Sequence, residues 1–190
     1  GLVNDLGYQA ITTPGSLKAY HAAVEDYGTW DWADICQPAI TQAQKGFVVR
    51  PHVHFWWTQG AAFGRAEVSD RLKFSATGRE IYFRADGTLK RVGDLITNPD
   101  LAKTLERIAK GGSAVFYEGE IAEEIDSDMR ANGGLLRKED LAKYILVRGG
   151  PIWTNYRGYR IASNSPPGGG IQLLEMLNIL ENFDLAEIGH

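Results

Sequence analysis

The stretch from Pro166 to Leu180 constrains this chain more than any other. Pro166-Pro167-Gly168-Gly169-Gly170 cannot be helical, and it leads directly into Ile171, Leu173, Leu174, Met176, Leu177, Ile179 and Leu180. At helical periodicity these apolar positions surround the axis instead of marking one stripe, and a helix of that kind is normally buried. The expectation is a helix from Ile171, entered through a tight glycine passage. It should pack within this chain, against a second copy, or against segments absent from the sequence.

The chain has the material for a sizeable core. Of its 190 residues 44% are hydrophobic and 23% charged, an ordinary globular balance. The formal charge of −4, with Lys and Arg spread along the chain, leaves no basic footprint for nucleic acid or an anionic membrane. No apolar run approaches the roughly 18 residues that a membrane-spanning helix needs. The single cysteine, Cys36, excludes an internal disulfide framework. Gly1-Leu2-Val3-Asn4-Asp5 is neither an initiator methionine nor a signal peptide, and both ends read as cuts through a longer chain. Localisation is therefore unreadable.

Local signals predict a helix-rich α+β chain without a βαβ series. Thr13-Pro14 has the form of a helix start, followed by Leu17, Tyr20, Val24 and Tyr27 on one face up to Gly28. Asp31 is placed to cap a second helix with Trp32, Ile35 and Ala39 on one face. A break is expected at Pro38 and an end at Gly46. Phe47-Val48-Val49 predicts a short strand or extended link, Phe55-Trp56-Trp57 is aperiodic, and Ile81-Tyr82-Phe83 before Asp86-Gly87 predicts a strand and turn. Asn98-Pro99 repeats the cap-plus-proline signal ahead of Leu101, Leu105 and Ile108, stopped by Gly111-Gly112. Ile121, Ile125 and Met129 predict another helix ending at Asn132-Gly133, and Glu139-Asp140-Leu141 opens a short one ending near Tyr144. Ile152 to Ala162 predicts a β-hairpin turning at Arg157-Gly158.

Candidate chemistry is sparse. His52 and His54 lack further ligands at a recognised spacing, so packing or surface histidines are the better reading than a metal site. The glycines before Ile171 could cradle an anion at a helix start. They match neither a P-loop nor Gly-x-Gly-x-x-Gly, and close backbone passage is favoured. Cys36 has no basic neighbour to activate it and reads as a buried, inert thiol. Ser16, Ser163 and Ser165 lie outside any Gly-x-Ser-x-Gly elbow. Glu118, Glu120, Glu123, Glu124, Asp126 and Asp128 read as a solvated helix face.

Several stretches nevertheless match one family in order and spacing. They run from Asn98-Pro99-Asp100-Leu101-Ala102 through Phe116-Tyr117, Gly119-Glu120-Ile121-Ala122 and Gly133-Gly134-Leu135 to Glu139-Asp140-Leu141-Ala142 and Tyr144. Tyr156-Arg157-Gly158-Tyr159, Pro166-Pro167, Gly169-Gly170, Leu177-Asn178-Ile179-Leu180-Glu181 and Phe183-Asp184-Leu185 follow, while Thr13-Pro14-Gly15-Ser16 and Gln37-Pro38-Ala39-Ile40 precede. Together they resemble the large subunit of γ-glutamyltransferases, over most of the chain and least between about His52 and Tyr82.

The resemblance implies a partial large-subunit segment over residues 1–190, without a complete second domain. It implies the helix-rich part of an N-terminal nucleophile hydrolase (αββα) fold, with a short β-hairpin. In that family a precursor cleaves itself before a threonine that opens the small subunit. The threonine hydroxyl attacks a γ-glutamyl or related amide, as in glutathione, and its own α-amine, with a pKa of about 8, is the base. The implied partners are the small subunit and a small amide substrate. The implied nucleophile lies beyond His190, and the arginine gripping the substrate carboxylate lies before Gly1. No catalytic, cofactor-binding or metal residue is therefore expected here, and Gly168, Gly169 and Gly170 are not the family's oxyanion hole. Asn164-Ser165-Pro166-Pro167-Gly168-Gly169-Gly170 keeps only part of the family's three-proline, two-serine pattern. That departure points toward an acylase or amidohydrolase branch. A stand-alone binding or structural module is the reading of another class.

Overall fold

The computed structural model describes residues 2–188; Gly1, Gly189 and His190 lie outside the described residues. The chain forms two compact units meeting between Ile145 and Leu146. Both combine helices with two-stranded sheets, so the α+β expectation holds.

In the first unit, α1 spans Ser16–Tyr27 with Gly15, not Thr13, at its N-cap. Its first-turn donors are met from elsewhere: the Tyr117 hydroxyl accepts from the Lys18 backbone N–H at 3.2 Å and donates to the Pro14 carbonyl at 2.8 Å. The helix consequently turns Leu17, Lys18 and His21 inward, while Tyr20 and Tyr27 are exposed, contrary to the predicted face.

α2 (Trp32–Lys45) runs unbroken through Pro38. Pro38 lies on the exposed face, where the carbonyl one turn earlier can meet solvent, so no break is forced. Asp31 occupies the N-cap without a side-chain cap bond, and Gly46, at φ 89°, ends the helix as expected. The buried residues are Cys36 and Ile40, one step round from the predicted Ile35 and Ala39, because α2 packs on Ala102 and Leu105.

β1 (Phe47–Val48) pairs antiparallel with β2 (Leu95–Ile96), through Phe47 with Ile96 and Val48 with Leu95. Between them lie α3 (Pro51–Trp57), α4 (Val68–Leu72) and α5 (Ala76–Tyr82). Of the strand expected at Ile81-Tyr82-Phe83, Ile81 and Tyr82 are instead the end of α5, while Phe83 is extended and makes a single antiparallel bridge to Leu89. The Ser75 hydroxyl caps that helix by accepting from Gly78 N–H at 2.9 Å, and this local start signal carries the helix through Ile81 and Tyr82. The Asp86-Gly87 turn is present, with Thr88 N–H donating to the Asp86 carboxylate at 2.9 Å.

α6 (Pro99–Gly111) begins as predicted: Asn98 accepts from Leu101 N–H at 3.0 Å. Its buried residues are Ala102 and Ile108, while Leu101 is exposed. α7 (Ala114–Tyr117), α8 (Glu120–Ala131) and α9 (Lys138–Ala142) follow, with Ile121 and Met129 buried and Ile125 half-buried, as the helical spacing predicts. Tyr117, Ala122, Met129, Leu136 and Leu141 form a core cluster, and the Tyr117 ring stacks on Tyr144 at 6.0 Å.

In the second unit, β3 (Ile152–Tyr156) and β4 (Tyr159–Ser163) form the expected hairpin, pairing Ile152 with Ser163 and Tyr156 with Tyr159. Arg157 (φ 47°) and Gly158 (φ 82°) make a turn whose left-handed backbone suits the twist of the strands. α10 (Gly170–Leu180) packs on one hairpin face, and α11 (Leu185–Ile188) ends the described chain. The Thr154 hydroxyl donates to Asn178 Oδ1 at 2.6 Å, and Arg157 N–H donates to the Glu181 carboxylate at 2.7 Å.

Of the three coverings expected for α10, packing within this chain accounts for one side of the helix only. Gly170 and Leu174 are buried and Leu177 is half-buried, but Ile171, Leu173, Met176, Ile179 and Leu180 are exposed. The hairpin is two strands wide and covers one side of the helix only.

Candidate functional site

Cys36 sits on the inward face of α2, next to Ile40 and Ala102. Burial pushes its thiol pKa up, which is the reverse of what a nucleophile needs. His52 and His54 lie in α3, and among the described residues no group of three or more His, Cys, Asp or Glu side chains is placed to hold a metal ion.

Ser163 and Ser165 flank Asn164 before the glycine passage. A Cβ at Gly170 would strike the Asn164 carbonyl and come within 2.7 Å of the Ser163 hydroxyl, and a Cβ at Gly168 would strike the Asn164 side-chain amide. Gly170 is thus required by the chain's close return on the Asn164 backbone, which supports the passage reading, whereas a side chain at Gly168 would need only the Asn164 amide to move. Ser16 is the first residue of α1 and exposed.

The acidic face of α8 proves to be wired as well as solvated. Arg107 reaches Glu120 at 2.9 Å and forks onto Glu124 at 2.9 and 3.0 Å. Arg130 holds Asp126 at 2.8 Å, and Lys138 holds Glu123 at 2.6 Å. The hydrogen bonds from Arg107 depress the Glu124 pKa, and the bond from Arg130 depresses that of Asp126. Such a face ties α6, α8 and α9 together, and its charges are already partnered.

One constellation escaped the sequence. Ser113 Oγ lies 3.3 Å from His21 Nδ1, and Glu25 Oε2 lies 3.6 Å from the same nitrogen. A nucleophile–base–acid relay needs hydroxyl and carboxylate on opposite ring nitrogens. Here both compete for one, so the group is a polar clasp between α1 and the corner after α6. The His21 ring also stands edge-on to Trp32, whose indole N–H donates to the Ile108 carbonyl at 3.0 Å. With Ser113 and His21 separated by 92 positions in the sequence, no local spacing could have announced it. None of these arrangements assembles an activated nucleophile from the described residues.

Comparison with known proteins supplies what this geometry does not. The sequence model of the family described as Gamma-glutamyltranspeptidase matches residues 2–190. A Glutathione hydrolase proenzyme of Escherichia coli (strain K12) is 39% identical over 181 residues, which is 95% of this chain and 30% of that protein. An Acylase ACY 1 proenzyme of Pseudomonas sp. (strain SE83) is 33% identical over 98% of this chain and 32% of its own length. Among solved structures, Helicobacter pylori gamma-glutamyltranspeptidase superposes with a TM-score of 0.86 at 34% identity, over 99% of this chain and 52% of that one. A cephalosporin acylase from Bacillus halodurans gives 0.79 at 32% identity, over 95% of this chain and 33% of that one. The chain thus spans about a third of the length of the curated relatives it matches.

Proposed function

The chain belongs to the γ-glutamyltranspeptidase family, and from that membership we propose that it is the helix-rich large-subunit portion of an N-terminal nucleophile hydrolase. The complete enzyme would hydrolyse or transfer γ-glutamyl or related acyl groups from amides, glutathione among them. Its nucleophile would be a threonine exposed by self-cleavage and lying outside these 190 residues. The observation that carries this reading is the match along residues 2–190, joined to a set of described side chains that holds no activated nucleophile.

In this reading the chain supplies structure. The hairpin and α10 are locked together through Asn178 and Glu181, and the apolar sides of α10 receive the small subunit or the rest of the precursor. The fold completed in this way would be the αββα sandwich, with residues 1–190 as one partial segment of it.

Action on an acyl amide other than glutathione is the second reading. Acylase proenzymes stand among the relatives, and the family's serine-bearing approach to the paired glycine is replaced here by a glycine packed on Asn164.

The test is expression of the complete reading frame that contains this chain. The expected outcome is two fragments divided before a threonine, with turnover of a γ-glutamyl anilide, an N-acyl amide, or both. Replacing that threonine with alanine should abolish cleavage and turnover together. The 190-residue chain alone should be inactive on either substrate. Turnover by this chain that survives replacement of Cys36 and of each serine would sink the N-terminal-threonine account, and a precursor that never cleaves would favour a non-catalytic module.

A further inference from the structure

The first unit has two apolar clusters that do not merge beside α2. One contains Cys36, Ile40 and Ala102, with Ala43 and Leu105 against it; the other contains Val49, Ile81 and Ile96, with Tyr82 against it. A half-enclosed cavity of about 250 Å³ lies where they meet, walled by Ala43 and Leu105 from the first and by Ile81, Tyr82 and Ile96 from the second. Phe47 adds a second aromatic wall. The mouth is marked by Ala39 and Leu101, two residues whose helical spacing predicted core positions but which the fold leaves exposed.

We propose that this cavity is a binding site for a small uncharged aromatic molecule, an assignment independent of the parent's amide chemistry. Size is the first argument. An enclosed apolar cavity of about 150 Å³ admits benzene, so the larger space here, although open on one side, has room for a ring with a short substituent. Wall chemistry is the second. None of the lining residues is ionisable at neutral pH, in a chain that is 23% charged, so a charged ligand would lose hydration with nothing to replace it. The only polar side chains besides the Tyr82 phenol are Gln42 and Asn98. Asn98 already spends its carbonyl oxygen on Leu101 N–H, at 3.0 Å, which leaves its amide nitrogen to donate. The site therefore suits a neutral ring, bare or bearing one hydrogen-bond acceptor.

Fluorobenzene is the probe, benzoate the charged control, and methyl and amide NMR spectra of the 190-residue chain the readout. Fluorobenzene should shift the methyl signals of Ile81, Ile96 and Leu105 saturably, and benzoate should bind at least tenfold more weakly. Ala43→Leu, which fills the cavity, should weaken fluorobenzene binding at least tenfold. Ala39→Leu narrows the mouth from an exposed position and serves as the second variant should Ala43→Leu fail to fold. The proposal is overturned if a folded chain shows no saturable shift at those methyls. It is equally overturned if benzoate binds as well, or if affinity is unchanged in the folded variants. Binding that vanishes in the full-length protein would also overturn it, by assigning the cavity to a segment of that protein.

Discussion

At the scale of single residues, Tyr117 shows how this fold replaces a local cap with a distant one. Thr13-Pro14 has the composition of a helix start, yet Thr13 makes no cap bond and α1 starts later, at Ser16. The phenol that serves the Lys18 N–H comes from 99 residues further along, and the Lys18 ammonium in turn donates to the Tyr144 carbonyl at 2.7 Å and lies 5.0 Å from the Tyr117 ring. Tyr117 is only 1% exposed, and burial raises its phenol pKa, so the hydroxyl stays protonated and able to donate to Pro14. Tyr117→Phe keeps the ring but leaves a helix N–H and a carbonyl without their partner. Its expected cost is about 1–3 kcal/mol, the range for unsatisfied buried polar groups. Thr13→Ala should cost less than about 0.5 kcal/mol, like an ordinary surface change. Urea unfolding of both variants decides the matter; the opposite ranking would return the capping role to Thr13.

At the scale of elements, the charged contacts between helices set a pH dependence. Asp5 is held below the usual carboxylate range by the Ala66 N–H and by Arg71, and Asp94 by the Arg91 N–H and by Arg84. Glu124 and Asp126 are depressed by their arginines. Each carboxylate binds protons less readily folded than unfolded, so its contribution is fully present above the unfolded pKa of about 4. The contribution drains away as pH falls through the lower folded values. The urea midpoint should therefore hold steady from pH 7 to about 5 and fall below about 4. Arg107→Met should lower the neutral-pH stability only slightly, because both of its acidic partners are well exposed and screened by solvent. It should also make the acid-side decline shallower, and an unchanged slope would remove Glu124 from this account. Elements with their own signals were legible in the sequence: the Asn98-Pro99 start of α6, the Arg157-Gly158 turn of the hairpin, and the Gly46 end of α2. Faces were less legible than boundaries. Ile35 and Leu101 gave way to Cys36 and Ala102 because the face each helix buries is set by how α2 and α6 pack on each other, and neither helix records the other's position. Of the candidate site, the inert surroundings of Cys36 were legible as a thiol on an apolar helix face without a basic neighbour, and the His21–Ser113 clasp was invisible because its partners meet only in the folded chain.

At the scale of the whole molecule, α10 poses a question of solvation. Its Leu174 is buried, but Ile171, Met176 and Ile179 are 56, 54 and 55% exposed. Each such side chain forgoes part of the roughly 1.5–3 kcal/mol that full burial would contribute. Exposed apolar surface of this kind marks a contact site in soluble proteins, and under the proposed function its occupant would be the rest of a longer precursor. Two outcomes should then diverge. Leu174→Ala removes a side chain buried among the chain's own residues, so it should destabilise the 190-residue chain by about 2–5 kcal/mol. Leu177→Ala, only half-buried here, should cost clearly less in this chain and approach the same range in the complete protein. The triple change Ile171→Gln, Met176→Gln and Ile179→Gln should leave the melting temperature of the isolated chain nearly unchanged and reduce its self-association in analytical ultracentrifugation. In the complete protein the same three changes should lower the yield of assembled, processed enzyme, because three amides would then have to be desolvated at a contact made for hydrocarbon. Normal processing and stability of that triple variant in the full-length protein would show that these faces of α10 remain in water there, and the sequence pattern from Ile171 to Leu180 would need another explanation.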